Sequence, residues 1–232
     1  MSIYSVSLNT LEWYLLRIPT INKQPVVNAE MANVKNSNNT QRAVQMAPDE
    51  RRQQLLGIAI HVFATKGIDG ARHGDVARAA GVSIPTVHAY FKTRNDLVSA
   101  VLDAVKRYII EDTITPFTSG PTFDERMLRS GRHLMDTVPA NSDYFKIWVM
   151  WNAYFADPFR EQYLRFEEAA VDGLCQVLTG NLDAVQDAKM REKALVFLGL
   201  AIFLTQMILR GESIERQEHF VENVVQTVRI WI

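Results

Sequence analysis

Histidine and cysteine offer the most versatile side-chain chemistry in this sequence, and their spacing is the first test for a catalytic or metal site. No two histidines lie four residues apart, the spacing at which one helix places two imidazoles on one metal. The five are His61, His73, His88, His133 and His219. The chain also contains no Gly-x-Ser-x-Gly segment and no glycine-rich loop that ends in Gly-Lys-Ser or Gly-Lys-Thr. The sequence therefore predicts neither an enzyme nor a bound metal or cofactor.

Cys175 is the only cysteine among the 232 residues. A single thiol cannot form an internal disulfide or supply a thiolate zinc cluster, and this cysteine usage suits a reducing compartment. Its place beside Gln176 on an amphipathic segment favours a small core residue over a nucleophile. We expect a cytoplasmic protein.

The charges are balanced over the whole chain but unevenly distributed along it. Lys and Arg number 25 against 26 Asp and Glu. Residues 50–107 contain nine basic and five acidic residues, whereas residues 108–232 contain twelve basic and eighteen acidic ones. A cationic module attached to an acidic body fits a polyanion that binds at one end only. A solvated helical surface explains the same surplus equally well.

The first 46 residues differ in character from the rest. Residues 33–45 are rich in Asn, Ser, Thr and Gln, and such a segment buries too little apolar surface to order itself. Residues 1–30 show neither helical nor strand periodicity, and Glu12 and Arg17 interrupt the one apolar stretch that resembles a signal peptide. We expect residues 1–46 to be a flexible extension and arm.

Residues 47–107 show the signals of a helical module. Pro48, followed by Asp49 and Glu50, favours the start of a helix that ends at Lys66 and Gly67. Shorter helices are predicted over 73–80 and 84–91, and a fourth runs from Thr93 to about Ile110.

The two short helices form a predicted helix-turn-helix. Gly81 supplies the turn, Ser83 caps the second helix, and Ala77 and Ala80 permit a close crossing. This motif inserts its second helix into a DNA major groove. Helical hairpins with glycine turns also occur in interaction modules that do not bind DNA.

Helical periodicity continues to the end of the chain. Five more helices are predicted, near 123–138, 142–156, 159–178, 187–210 and 214–230. Residues 194–209 carry no charge, but a bilayer span needs about 20 apolar residues. We therefore expect a buried helix and no membrane association. The predicted fold class is all-α.

Residues 50–105 resemble the DNA-binding domain of TetR-family transcriptional regulators. The resemblance rests on RRQQLLGIAIHVFATKG followed by GDVARAAGVSIPTVHAYFKTRNDLVSAVL. Within that family, HVFATKG, HGD, TVHAYF with TRNDLV, and FKIWVMWNAYF are similar to the HapR- and LuxR-type quorum-sensing regulators of vibrios. The resemblance implies a helix-turn-helix domain over 47–107 and a helical domain over 108–232 that binds a ligand and dimerises.

The resemblance also implies which residues contact DNA. Hydroxyls and cations at the matching positions suit phosphate oxygens, and outward residues on the second short helix would reach base edges. The predicted contacts are Arg42, Arg72, Ser83, Pro85, Thr86, His88, Ala89, Tyr90, Lys92, Thr93 and Arg94. Arg42 would enter a minor groove from the arm, unless it is simply a solvated linker charge. His88 and Ala89 depart from residues common in the family, so no operator sequence follows from the resemblance.

The C-terminal domain carries two further expectations. An aromatic wall with one amide, together with residues of the long helix, would line a cavity for a small apolar effector: Trp148, Trp151, Asn152, Phe155, Phe203, Gln206 and Met207. Apolar stripes on the last two helices would form a four-helix bundle with a second copy: Leu195, Leu198, Ile202, Phe220, Val224 and Val228.

These expectations lead to one predicted function and two alternatives. We expect a homodimeric regulator that binds a pseudo-palindromic double-stranded operator as a repressor or an activator, with a link to quorum sensing. The alternatives are an all-helical interaction module that does not bind DNA and a small helical enzyme.

Overall fold

The computed structural model describes residues 47–118, 120–181, 183, 185 and 187–230. The predicted arm over residues 1–46, with Arg42, lies outside the described residues, and its conformation stays a prediction. Within the described part of the chain all regular structure is helical and no strand occurs, so the predicted all-α class is confirmed.

Nine α-helices occur in the described ranges. In chain order they are α1 (Pro48–Gly70), α2 (His73–Ala80), α3 (Ile84–Tyr90), α4 (Arg94–Arg107), α5 (Phe123–Ala140), α6 (Ser142–Asn152), α7 (Phe159–Thr179), α8 (Ala188–Leu209) and α9 (Ile214–Arg229). After α4 the chain continues through a π-helical segment, Tyr108–Ile114, and a 3₁₀ turn, Thr115–Phe117.

The ends of α1 follow the sequence signals. Glu50 Oε2 accepts the Ala47 N–H at 3.3 Å, which satisfies one of the free amides of the first turn. At Gly67 the backbone has φ 78°, a left-handed conformation that favours glycine, and regular helical geometry breaks there. The predicted stop at Lys66 and Gly67 is confirmed, although one more turn follows it to Gly70.

One hydrophobic core runs through both predicted domains. Buried residues of α1, such as Leu55 and Phe63, belong to the same cluster as Phe145 of α6 and Phe166 of α7. The division into 47–107 and 108–232 therefore remains a prediction about function.

The α8 helix is long and apolar enough to cross a membrane by length and composition. It packs against α5, α6, α7 and α9, and Ala194 and Thr205 are fully buried. The Thr205 hydroxyl donates to the Ala201 carbonyl at 2.9 Å, so it is satisfied within its own helix. These contacts are typical of the central helix of a bundle.

A buried arginine joins α5 to the end of α7. Arg126 is 5% exposed, and its guanidinium donates to the carbonyls of Val177 at 2.7 Å, Gly120 at 3.0 Å and Leu178 at 3.1 Å. A cation at a helix C-terminus also interacts favourably with the helix dipole. Arg126 therefore satisfies carbonyls that would otherwise be unpaired in the core.

We predict that Arg126→Met lowers the free energy of unfolding by about 3 kcal/mol, because it leaves buried carbonyls without donors. Arg132→Met on the exposed side of the same helix is the matched control and should change stability by less than about 0.5 kcal/mol. Urea unfolding followed by circular dichroism at fixed protein concentration measures both. Equal stability of the two variants would contradict the proposed role of Arg126.

Candidate nucleic-acid interface and ligand cavity

The α2–α3 hairpin has the geometry of a helix-turn-helix. Gly81 has φ 65°, a left-handed turn that a Cβ would oppose, and the Val82 N–H donates to the Ala77 carbonyl at 3.0 Å. Ser83 Oγ accepts the Thr86 N–H at 3.3 Å and caps α3. The turn and the cap are as the sequence predicts.

One face of α3 is exposed to solvent. Pro85, His88 and Ala89 are exposed, whereas Val87 and Phe91 are buried. The three exposed side chains are accessible to a binding partner such as DNA.

Several predicted contact residues also have partners within the chain. The Ser83 and Thr86 hydroxyls hydrogen-bond each other at 2.8 Å, and Tyr90 is half-buried against the core. Lys92 is exposed, and its ammonium forms no ion pair with the residues that the structure describes. Lys92 is therefore an available cation at the end of α3.

Three of the predicted contact residues, at the starts of α2 and α4, have partners within the chain. The Thr93 N–H donates to Asp96 Oδ2 at 2.9 Å in a capping box. The Arg94 guanidinium is half-buried and donates to the Ile68 carbonyl, and that of Arg72 donates to the Ala71 carbonyl at 3.0 Å. These three donors therefore form hydrogen bonds within the chain. Residue spacing in the sequence does not reveal such contacts.

A second cation near α3 was not singled out from the sequence. The Arg52 guanidinium lies over the Phe91 ring, with its Cζ 5.1 Å from the ring centroid. This contact places a positive charge beside the C-terminal end of α3. Its signal in the sequence is only the pair Arg51 and Arg52 in the first turns of α1.

Two imidazoles stack at the same end of α3. The rings of His73 and His88 lie 4.0 Å apart between centroids, at an interplanar angle of 6°. His73 Nε2 lies 2.7 Å from the Phe91 carbonyl oxygen, and His88 Nδ1 lies 3.2 Å from that of Lys92. His73 is buried and His88 is exposed.

Polar contacts join the helix-turn-helix to the helices behind it. His61 Nδ1 on α1 lies 2.8 Å from Asp143 Oδ2 on α6. Just beyond α6, the Tyr154 hydroxyl donates to Asp69 Oδ1 at 2.8 Å, and this hydrogen bond raises the pKa of Tyr154. Asp69 precedes α2 by four residues, so Tyr154 contacts the entrance of the helix-turn-helix.

An open cavity of about 360 Å³ lies between the end of α6, α7 and α8. Asn152 lies at its α6 end, and the other lining residues are Tyr163, Glu167, Leu195, Leu198, Gly199, Ile202, Phe203 and Gln206. The Tyr163 hydroxyl donates to Asn152 Oδ1 at 2.6 Å. Burial, and then the Glu167 charge, raise the pKa of Tyr163, which keeps this hydroxyl protonated.

The predicted effector residues are only partly brought together. Asn152, Phe203 and Gln206 line the cavity. Trp148 and Trp151 instead lie in the closed core, where the Trp151 indole stacks on Phe166 at 5.4 Å and donates to the Phe159 carbonyl at 3.0 Å.

Phe155 and Met207 are also outside the cavity. Helix α6 ends at Asn152, not at the predicted residue 156, so Phe155 loses the helical phasing assumed for it and is 77% exposed. Met207 is buried on another side of α8. The expected aromatic wall is therefore wrong, because its members belong to the core or to the surface.

Among the cavity residues that were not predicted from the sequence to line it, Tyr163 and Glu167 are the two on α7. They lie four residues apart on α7 and so share a face. That spacing was the available signal, but nothing local indicated which face of α7 meets the cavity.

The predicted dimer residues divide into two groups. Leu198, Ile202 and Val228 are buried within the protomer, so their assignment to a dimer interface is wrong. The reason is that α8 is apolar on several sides, and α5, α6 and α7 cover some of them.

The other predicted residues lie at the surface of the last two helices. Leu195 is 48% exposed, and Phe220 and Val224 are half-buried. Val196 and Phe203 extend this apolar α8–α9 face, and the rings of Phe203 and Phe220 lie 5.4 Å apart.

The comparisons with known proteins agree with this geometry. Residues 55–101 match the model of the tetR family of bacterial regulatory proteins. The HTH-type transcriptional regulator LuxR of Vibrio harveyi is 34% identical over 113 residues, which are 49% of this chain and 55% of that protein. The match thus spans about half the length of this relative.

Two longer matches extend beyond the helix-turn-helix. The HTH-type transcriptional activator FasR of Mycolicibacterium smegmatis is 22% identical over 80% of this chain and 84% of its own length. The crystal structure of a tetR-family transcriptional regulator from Streptomyces coelicolor superposes with a TM-score of 0.61, at 25% identity over 79% of this chain and 83% of that one. With its helix-turn-helix and its helical C-terminal body, the chain is similar to tetR-family bacterial regulatory proteins.

Proposed function

We propose that the chain is a cytoplasmic transcriptional regulator that binds a double-stranded DNA operator sequence-specifically. The observation that carries this proposal is the exposed face of α3, where Pro85, His88 and Ala89 are free to meet base edges. Lys92 and Arg52 lie at the end of that helix and supply charge for the phosphate backbone.

The operator is a pseudo-palindrome that two copies of the chain read together. The apolar α8–α9 face, with Val196, Phe220 and Val224, is the surface through which the copies pair. A twofold axis there would present two α3 helices to successive major grooves, roughly 34–36 Å apart.

A small effector in the cavity modulates operator binding. Asn152 lines the cavity, and Tyr154, two residues further along, holds Asp69 at the entrance of the helix-turn-helix. A ligand that shifts the end of α6 therefore acts on the hairpin through a short chain of contacts, with a coupling of roughly 1–3 kcal/mol. A role in quorum sensing is the finer proposal, supported by the likeness to LuxR of Vibrio harveyi.

We predict that Lys92→Ala reduces the slope of log K against log salt for operator binding by about 1, because one phosphate contact is lost. The preferred sequence should not change. Lys189→Ala on α8, far along the chain from the hairpin, is the control and should leave the slope unaltered. Fluorescence anisotropy with a fragment selected from random DNA measures both variants. Equal slopes for Lys92→Ala and wild type would show that Lys92 does not contact a phosphate.

We also predict that Val196→Glu converts the dimer to monomer and weakens operator binding by roughly tenfold or more, because it buries like charges across the twofold axis. Leu164→Glu is the matched control, since Leu164 is similarly exposed but lies on α7. Sedimentation equilibrium gives the oligomeric state. A dimeric Val196→Glu variant would show that the copies pair through another surface.

A further inference from the structure

Glu167 is the one charged residue among the described residues that line the cavity, and the others are apolar or carry an amide or a phenol. Glu167 is half-buried and forms no ion pair or hydrogen bond within the described residues. Arg165, two residues away along α7, pairs with Glu161, and the Arg160 guanidinium lies over the Tyr163 ring, 5.4 Å from the centroid. Neither arginine lines the cavity. Among the residues that the structure describes, the carboxylate therefore has no cationic partner, and a cation would favour its charged form.

The remaining lining suits the body of an amphiphile. Leu198, Ile202 and Phe203 provide apolar surface, and a volume of about 360 Å³ admits a small organic molecule. Asn152 accepts from Tyr163 through Oδ1, so its Nδ2 is a donor for polar atoms of a ligand. An effector that carries a carboxylate would meet Glu167 as a like charge.

We propose that this cavity binds an organic cation, an ammonium or amidinium head on a hydrocarbon body, with the head against Glu167. The inference rests on the proposed effector role of the cavity and specifies its chemistry. The carboxylate selects the charge of the ligand, while the α8 side chains select its apolar body.

Calorimetric titration of the full chain with octyltrimethylammonium, octanoate and octanol tests this proposal. The cation should bind at least about tenfold more tightly than octanoate, and Glu167→Gln should weaken it by about tenfold without changing octanol binding. Glu168→Gln, the exposed neighbour, is the matched control and should behave as wild type. Thermal unfolding verifies that each variant is folded.

Equal or tighter binding of octanoate, no binding of the cation, or an unchanged affinity in Glu167→Gln would overturn the proposal. Operator binding without any probe is measured separately. A wild-type chain that binds no operator would contradict the proposed function, not the proposed chemistry of the ligand.

The stacked histidines carry a second, independent inference. A carbonyl oxygen only accepts hydrogen bonds, so His88 Nδ1, 3.2 Å from the Lys92 oxygen, carries a proton, as does His73 Nε2, 2.7 Å from the Phe91 oxygen. In neutral His88 the other nitrogen, Nε2, is then an acceptor. His88 is exposed, and its Nε2 has no hydrogen bond within the described ranges.

The buried partner fixes this arrangement. His73 is 7% exposed and held by its own hydrogen bond, and its ring stacks on that of His88 at 6°. A rotation of the His88 ring would break both the stack and the bond to Lys92. His73 therefore acts as a positioning residue for His88.

We infer that His88 reads a base through an acceptor, Nε2, and so favours a base pair whose major-groove edge presents an amino group to it, adenine N6 or cytosine N4. This inference about His88 rests on the proposed DNA binding. A tyrosine or an arginine at this position would offer a donor instead.

Nitrogen NMR of the full chain with labelled histidine, assigned by comparison with His88→Ala, reports the tautomer directly. The expected state is Nδ1–H for His88 and Nε2–H for His73. Selection of operators from random DNA should show that His88→Ala loses about fivefold discrimination at one position of each half-site, equivalent to one net hydrogen bond of about 1 kcal/mol.

His73→Leu should weaken the base preference at the same operator position while leaving the salt slope and the preferences at the other positions unchanged. A variant that failed to fold would instead lose operator binding altogether. A protonated Nε2 with a bare Nδ1 in neutral His88, or unaltered preferences in His88→Ala, would overturn the inference. Failure of the wild-type chain to select any sequence would contradict the proposed function itself.

Discussion

The packing of α1 along α6 is the constraint on which the rest of the structure depends. α1 holds α2 and α4 on one side, and its residues Leu55 and Phe63 share a core with Phe145 of α6. Because protein interiors are close-packed, a displacement of α6 also displaces the α1 side chains that pack against it. The Tyr154–Asp69 hydrogen bond then fixes the end of α6 to the entrance of the hairpin. Packed contacts thus connect the end of α6, which lines the cavity, to the helix-turn-helix that carries the exposed face of α3.

Local signals in the sequence were sufficient for the hairpin. The turn at Gly81 and the cap at Ser83 follow from residue type and helical spacing alone. The same reasoning placed the end of α1 at Gly67. These features depend on residues within one or two helical turns, which a single sequence displays.

The cavity could not be predicted in this way, because it depends on which faces of distant helices meet. Trp148 and Trp151 were assigned to its wall but lie in the core, and Glu167, its one charge, was not singled out. Likewise, Leu198 and Ile202 share the apolar pattern of a dimer face yet are covered within the protomer. Periodicity shows that a face is apolar, whereas only the fold shows what covers it.

Hydroxyl-radical footprinting on an operator selected from random DNA shows whether two copies of α3 contact the duplex. We expect two protected patches on one side of the duplex, one in each half of an inverted repeat, with centres about one helical turn apart, roughly 10–10.5 base pairs. Substitutions on the exposed face of α3 should change the selected sequence within those patches. Uniform protection of any fragment, or a single patch without an inverted repeat, would contradict a dimer that reads DNA through two copies of α3.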